Sequence, residues 1–274
     1  MSLLALLRSF LRLIRRFSFG NVAKIAIRRN PLLLLFTLGG TNMHHDPLIL
    51  TKRSAMQRMT DYARYGYHHF VTGLVPVEKL APLVSKFTRY YQVHADKNAR
   101  HRARAKGEGS AYLLLYSDPK SDRVQFILMV TDGDHPAHKL EKLKDLREPG
   151  TRLTLTSYEL VRQTRSGSDK PVLTWRMTKD NYEAWRERIR KTVRTKGDKA
   201  VTEMLNSLVR SPGFSGIRAQ VKKLGQLFRV EWKRSRHRNE RAPAVGRIYY
   251  VQRLKNDGMY MSTFIKKWKQ GSQS

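Results

Sequence analysis

Residues 111–131, AYLLLYSDPKSDRVQFILMVT, predict a β-hairpin around which the rest of the fold is arranged. Two runs rich in apolar and aromatic residues, 111–117 and 123–131, are each long enough for one strand. Between them lies DPKSD, whose aspartate, proline and serine residues are typical of a tight turn. The two strands are therefore expected to pair in antiparallel fashion.

The segments that flank this hairpin give the chain the order β-α-β-β-α-β, with one added strand. Upstream, residues 68–75 are rich in strand-forming residues and residues 76–92 have helical periodicity. Downstream, a short helix at 136–146 is followed by a last hairpin, 152–163 with 171–178. This order predicts an α+β protein with a ferredoxin-like antiparallel sheet and its helices on one face.

Aromatic residues of such a sheet are candidates for contact with nucleic acid. In RNA-binding sheets of this topology, bases stack on aromatic side chains of the open face. Phe70 on the first predicted strand and Phe126 on the third could do so, or could point into the core. Further candidates, which the sequence does not rank, are Tyr112, Tyr116, Tyr158, Tyr249 and Tyr250.

Helical segments are predicted on both sides of the sheet. Residues 1–17 have an amphipathic pattern with arginines opposite leucine and phenylalanine, and residues 52–65 form a short basic helix. The C-terminal third predicts helices at 180–211, 212–238 and 261–270 and a strand at 246–255. These elements divide the chain into N-terminal helices at 1–65, a ferredoxin-like domain at 66–178 and an arginine-rich helical region at 179–274.

The balance of charge is the strongest indication of function. The chain has 54 Lys and Arg residues against 22 Asp and Glu residues, a net charge of +32 at pH 7. So large an excess favours a polyanionic partner, with nucleic acid first and anionic lipid second. The absence of cysteine excludes disulfides, thiolate zinc sites and cysteine nucleophiles, and it fits a reducing cytosol. We therefore expect a cytoplasmic nucleic-acid-binding protein, alone or with protein partners in a ribonucleoprotein.

Three segments concentrate the positive charge and supply the candidate phosphate-binding residues. These are Lys97, Arg100, Arg102, Arg104 and Lys106 in a basic linker, Arg186, Arg190 and Arg194 in a helix, and Lys233, Arg234, Arg236, Arg238 and Arg241 after a helical run. Gly107 and Gly109 follow the first segment and would let the backbone approach a phosphate closely. Because the chain has no helix-turn-helix, zinc-finger or basic-zipper pattern, RNA or single-stranded nucleic acid is favoured over duplex DNA.

Histidines and aspartates lie at the ends of two predicted strands. His68 and His69 begin the first strand, while Asp132 and Asp134 follow the third. The first and third strands are antiparallel neighbours in the ferredoxin-like order, so these two ends should meet. The candidate catalytic set is His69, Asp132, His135 and His138.

Three interpretations of this set stay open, and no metal ligands are assigned. A divalent metal could polarise a phosphodiester, as in mobile-element replication and mobilisation nucleases, although those enzymes use a His-hydrophobic-His pattern within a strand. Histidine could instead cleave RNA by acid–base catalysis, as in CRISPR RNA-processing nucleases with paired ferredoxin-like folds. In the structural interpretation, Asp134 caps a helix that begins at Pro136 and Asp132 holds the turn. Apart from that metal, no cofactor is predicted.

The N-terminal pattern admits a different class of function. Residues 1–17 could lie on an anionic lipid surface, or could pack their apolar side against the rest of the protein. No run of about 20 apolar residues occurs in the sequence, so a transmembrane helix is not predicted. Association with a membrane surface is therefore the second alternative to nucleic-acid binding, beside nuclease activity.

Overall fold

The computed structural model describes residues 46–118, 121–164, 167, 169–237, 239–253 and 255–271. From Asp46 onward the described chain packs as one compact unit. It is a mixed α+β structure with a six-stranded sheet, a separate three-stranded sheet and eight α-helices. The amphipathic helix predicted for residues 1–17 lies outside the described residues.

The elements have the following bounds. The strands are β1 Leu48–Leu50, β2 His69–Pro76, β3 Ala111–Ser117, β4 Arg123–Val130, β5 Lys144–Asp145, β6 Leu153–Leu155, β7 Tyr158–Thr164, β8 Pro171–Met177 and β9 Gly258–Tyr260. The helices are α1 Lys52–Arg64, α2 Leu80–Tyr91, α3 Lys97–Ala105, α4 Pro136–Leu140, α5 Lys179–Thr195, α6 Asp198–Val209, α7 Ser215–Ser235 and α8 Met261–Gly271. None of these helices combines the length and the apolarity needed to cross a membrane.

The predicted hairpin is confirmed as the centre of the larger sheet. β3 pairs with β4 in antiparallel register from Ala111 opposite Val130 to Ser117 opposite Val124. The strand order is β5-β2-β4-β3-β1-β9, in which β1 runs parallel to β3 and the other pairs are antiparallel. From Phe126 to Val130, strand β4 is apolar without alternation because neighbouring layers bury both of its faces.

The prediction of an open sheet face is wrong, since layers of structure cover both sides. One face, including Phe70 and Ile127, packs in a core with α1, the small sheet and the C-terminal helices. The opposite face, including Leu128, packs against α2, α4 and α8. Phe70 is fully buried, and Phe126 packs edge-on against Phe87 of α2. Neither ring can therefore stack on a base, because the apolar residues of the covering layers pack on both faces of the sheet.

The last predicted hairpin forms, but it does not extend the larger sheet. Strands β6, β7 and β8 make a separate antiparallel sheet, and the two-residue β5 takes the position beside β2. Trp175 of β8 fixes the small sheet to α1, because its indole Nε1 donates to Met56 O at 2.9 Å and to Thr60 Oγ1 at 2.8 Å. Local pattern predicted these strands correctly, whereas their partners depend on packing between distant segments.

The helices predicted for the C-terminal region are present, but the strand predicted there is wrong. The helix predicted over 180–211 is interrupted between α5 and α6, where the chain passes Lys196 and Gly197 in extended conformation. The final helix is confirmed as α8. Instead of the strand predicted at 246–255, residues 239–253 form an extended strap without a strand partner among the described residues. The strap packs on α7 through Val245 and Ile248.

Candidate functional site

The two histidine-bearing stretches meet at one end of the larger sheet, as the predicted strand order requires. His69, the first residue of β2, lies opposite Val130, the last residue of β4. Two residues beyond that strand, Asp132 turns back, and its Oδ1 lies 2.8 Å from His69 Nε2. His68 Nδ1 lies 3.7 Å from Asp132 Oδ2, so both histidines approach the same carboxylate.

A guanidinium that the sequence analysis missed holds this end of the sheet together. Arg147 donates to both oxygens of Asp132, at 2.8 and 3.1 Å, and to both oxygens of Asp145, at 2.7 to 3.0 Å. Asp145 belongs to β5, and its Oδ2 lies 3.9 Å from His69 Nδ1. No sequence pattern identified Arg147, because its position depends on the pairing of the very short β5 with β2.

The ion pairs fix the protonation of both carboxylates. Hydrogen bonds from Arg147 and then from His69 lower the pKa of Asp132 to about 2. Hydrogen bonds from Arg147 also lower the pKa of Asp145, and the two carboxylates raise the pKa of Arg147 in return. The two aspartates and Arg147 are therefore all charged near neutral pH. Since five donor contacts of the Arg147 guanidinium already go to carboxylates, this group is not positioned to stabilise charge on a substrate.

The other two candidate histidines have structural partners. His138 Nε2 donates to Thr131 O at 2.9 Å, and its ring meets the ring of His69 edge-on at 4.8 Å. His135 is buried, which lowers its pKa, and its Nδ1 accepts the backbone N–H of Ala137. His135 is thus the N-cap of α4, in place of the predicted Asp134. Of the predicted catalytic set, the structure brings His69, Asp132 and His138 together and turns His135 into the helix cap.

A glycine-containing loop joins α3 to the histidine cluster, which consists of His68, His69, Asp132 and His138. Gly133 has φ of +106°, and a Cβ there would lie 2.6 Å from Gly107 O. A Cβ on Gly109 would likewise lie 2.8 Å from His135 Cβ. Gly107 and Gly109, which were predicted to let the backbone approach a phosphate, instead let it approach the turn at residues 132–135. The C-terminal end of α3 consequently lies directly beside the histidine cluster.

The first basic segment is a surface helix and not a linker. Asp96 caps α3 by accepting the backbone N–H of Ala99 at 2.7 Å, and no residue of this helix is buried. Two of its arginines point inward, but to carbonyl oxygens: Arg100 donates to Val93 O at 2.8 Å and Arg104 to Tyr65 O at 3.2 Å. The remaining cations of the segment, Lys97, Arg102 and Lys106, are exposed. In the described chain, none of these five residues lies within 4.0 Å of a carboxylate.

Carboxylates partly neutralise the second and third basic segments. Buried Glu231 of α7 pairs with Arg194 at 2.8 Å and approaches Arg190 at 3.9 Å. Arg186 pairs with Glu183 at 2.9 Å. Arg236 lies 3.7 Å from both Asp198 and Glu240. Lys233, Arg234 and Arg241 are exposed, and Arg238 lies outside the described residues. The three segments are therefore not equivalent, because folding brings acidic residues from other elements to two of them.

Burial ranks the tyrosines that the sequence left unranked. Tyr116 and Tyr158 are buried, and Tyr112 stacks on Tyr62 with the guanidinium of Arg100 4.4 Å from its ring centroid. Tyr249 and Tyr250 of the strap are 77% and 69% exposed. These two adjacent rings are the members of the predicted set that can contact a ligand from solvent.

Comparison of the chain with known protein families, curated proteins and solved structures gives no match in any of the three. The chemistry of the site therefore rests on its own residues. Within the described residues, no group of three or more His, Asp and Glu side chains is arranged to hold a metal ion. His69, Asp132, Asp145 and Arg147 instead form an ion-pair network that ties β2, the turn after β4 and β5 together. The catalytic roles predicted for this end of the sheet stay predictions.

The network should make stability depend on pH through Asp132. Its pKa in the folded state, about 2, is below the ordinary value, so the stabilisation is complete above about pH 4–5 and is lost as the pH falls towards 2. We expect Asp132→Asn to lower the free energy of unfolding at pH 7 by under about 1 kcal/mol, because the carboxylate is partly exposed, and so to lower the urea midpoint. The difference from the wild type should shrink on acidification.

Asp134→Asn is the matched control in the same turn. The Asp134 carboxylate is exposed and lies 3.5 Å from the equally exposed Lys139, so its removal should leave the urea midpoint unchanged. An Asp132→Asn midpoint equal to the wild type at pH 7, or a difference that widens as the pH falls, would contradict the structural role of the network.

Proposed function

We propose that this protein binds the phosphate backbone of nucleic acid in the cytoplasm, with RNA or single-stranded nucleic acid preferred over duplex DNA. The observation that carries the proposal is α3, a surface helix with no buried residue whose cations have no carboxylate partner in the described chain. Phosphate is the counter-charge that such a helix lacks. The net charge of +32 supports the same ligand, because pairing every carboxylate with one cation would leave 32 cations unpaired.

The position of α3 suggests how the larger sheet serves this function. We propose that strands β2 to β5 with α2 and α4 act as a ferredoxin-like unit into which α3 is inserted, and the spatial order β5-β2-β4-β3 supports this proposal. In this proposal the unit is a reduced one, because β5 has two residues and α4 has five. Since both sheet faces are covered, the sheet acts as a scaffold that holds α3 beside the histidine cluster, and its surface does not contact bases.

Neutralising the exposed cations of α3 tests the proposal. We expect the triple variant Lys97→Gln, Arg102→Gln, Lys106→Gln to bind a single-stranded oligonucleotide more weakly than the wild type. The slope of log affinity against log salt should also become shallower by about 2, since each lost phosphate contact removes about 0.7 from it on a single strand. Fluorescence anisotropy of a labelled oligonucleotide over a range of salt concentrations measures both quantities.

A control variant with the same change in net charge distinguishes direct contact of α3 with phosphate from attraction by the net charge of the protein. Lys86, Arg176 and Arg186 are cations already paired with Glu141, Glu159 and Glu183. Their combined replacement by glutamine should weaken binding less than the α3 variant does. Equal losses in the two variants would reject α3 as the contact surface, and a wild type that binds no nucleic acid at low salt would reject the proposal itself.

A further inference from the structure

The strap presents two adjacent tyrosines on a fixed backbone. The backbone N–H of Val251 donates to Gly213 O at 3.2 Å, and the side-chain amide of Gln57 donates to Gln252 O at 2.6 Å. Arg218 Nε donates to Ile248 O at 3.2 Å. Position 213 requires glycine because a Cβ there would overlap the carbonyl oxygen of Tyr249. Main-chain contacts on both sides of residues 249 and 250 therefore hold the strap, while the two rings project into solvent.

Guanidinium groups accompany both rings. The Arg218 guanidinium lies 3.4 Å from the ring centroid of Tyr250, and that of Arg247 lies 6.0 Å from the centroid of Tyr249. Both distances are within the range of cation–π contact. Arg253, whose side chain is 67% exposed, lines the same cleft of about 240 Å³ as Tyr250. Each exposed ring thus has its own cations nearby, Arg247 beside Tyr249 and Arg218 with Arg253 beside Tyr250.

One carboxylate, that of Asp61, lines this cleft and would repel an anion if its charge were not neutralised. Asp61 is buried and accepts two hydrogen bonds from Arg253, at 3.0 and 3.2 Å, while Arg58 lies 3.2 Å away. Asp61 is therefore paired with two cations, and the cleft keeps an excess of positive charge through Arg64. The arrangement suits an anion that meets the exposed edge of Arg253 and does not enter the cleft fully.

From this arrangement we infer that Tyr249 and Tyr250 are a base-stacking platform for single-stranded nucleic acid. One base of a single strand stacks on Tyr249 and another on the face of Tyr250 opposite Arg218, while Arg247 and Arg253 contact the adjoining phosphates. Unstacked bases are accessible only in a single strand, and every base has a π-face, so the platform selects single strands with little dependence on sequence. This inference rests on the proposed function and names the class of nucleic acid and the residues that contact its bases.

The end of α1 connects this platform to α3. Arg64, the last residue of α1, lines the cleft beside Tyr250, and the carbonyl oxygen of the next residue, Tyr65, accepts the hydrogen bond of Arg104. A strand stacked on the tyrosines can therefore continue across the end of α1 to the exposed cations of α3. Stacking on the strap and phosphate contacts on α3 would then act on one ligand.

Ring removal tests the platform. We expect Tyr249→Ala with Tyr250→Ala to weaken binding of a single-stranded oligonucleotide by about tenfold for each ring, and to leave binding of a duplex of the same length unchanged. Tyr249→Phe with Tyr250→Phe keeps both rings and should bind as the wild type does. Because both side chains are exposed, thermal unfolding of these variants should match that of the wild type, and anisotropy with the two ligands gives the affinities.

Tyr90→Ala is the matched control. Tyr90 of α2 is 50% exposed and lies 5.7 Å from the Arg89 guanidinium, but it has no neighbouring exposed ring on its surface of α2. Its loss should not change binding. If the wild type binds single strands and the double alanine variant binds equally well, the platform is rejected while the proposed function stands. Equal losses for single strands and duplex would also reject stacking, and a wild type that binds neither would reject the proposed function.

Discussion

Raising the salt concentration from about 50 to about 200 mM is expected to weaken binding of a single-stranded oligonucleotide by about 100- to 300-fold, the loss for about five to six phosphate contacts. Cations that contact phosphates displace condensed counterions from the strand, and the free energy of that release falls as the salt concentration rises. The effect should be large here because, among the described residues, no carboxylate lies within 4.0 Å of a cation of α3. The plot of log affinity against log salt should be linear, with a slope of about −0.7 for each phosphate contacted.

A neutral ligand provides the control for this prediction. An oligonucleotide analogue with an uncharged backbone and the same bases should bind weakly and with little dependence on salt, because it has no counterions to release. Affinity for the natural strand that changes less than about threefold over the same range of salt would contradict phosphate binding.

Replacement of Trp175 by alanine is expected to lower the free energy of unfolding by about 3–5 kcal/mol. Trp175 is fully buried between the small sheet and α1, and its indole N–H bridges Met56 O and Thr60 Oγ1. Removing it leaves a large cavity where the small sheet meets α1, and it leaves the Met56 carbonyl without that donor. Urea denaturation followed by far-UV circular dichroism measures the change.

Trp175→Phe separates the loss of the hydrogen-bond donor from the loss of ring volume, and a variant of a second tryptophan is the control. Trp175→Phe keeps most of the ring volume and removes the donor, so it should cost less than the alanine variant, at about 1–2 kcal/mol. Trp185 of α5 is only partly buried beside Arg188, and Trp185→Ala should cost about 1 kcal/mol. An equal cost for Trp175→Ala and Trp185→Ala would show that Trp175 does not join the small sheet to α1.

Local pattern predicted most elements of the described chain. The turn signal between 117 and 123 identified the central hairpin, and the apolar periodicity of the C-terminal region identified its helices, apart from the interruption after Thr195. The predicted antiparallel pairing of the first and third strands also placed His69 near Asp132, and the structure has these side chains in contact. These predictions succeeded because turn residues, strand alternation and helical periodicity are properties of neighbouring residues.

Ion pairs between residues far apart in the sequence could not be predicted from local patterns. The sequence showed Arg194 and Arg236 as parts of basic segments, but their carboxylate partners Glu231 and Asp198 lie on other elements. Arg147 likewise reaches the histidine cluster only through the contact of β5 with β2. Composition counts charges, whereas ion pairing depends on which segments the fold brings within a few ångströms.

The sequence by itself determined the charge, the central hairpin, most of the helices and the meeting of the two histidine stretches. Only the tertiary structure decided that both faces of the larger sheet are covered, that no residue of α3 is buried, and that Tyr249 and Tyr250 are exposed. The physical reason is that secondary structure follows from residues a few positions apart, whereas burial and ion pairing depend on which distant surfaces meet.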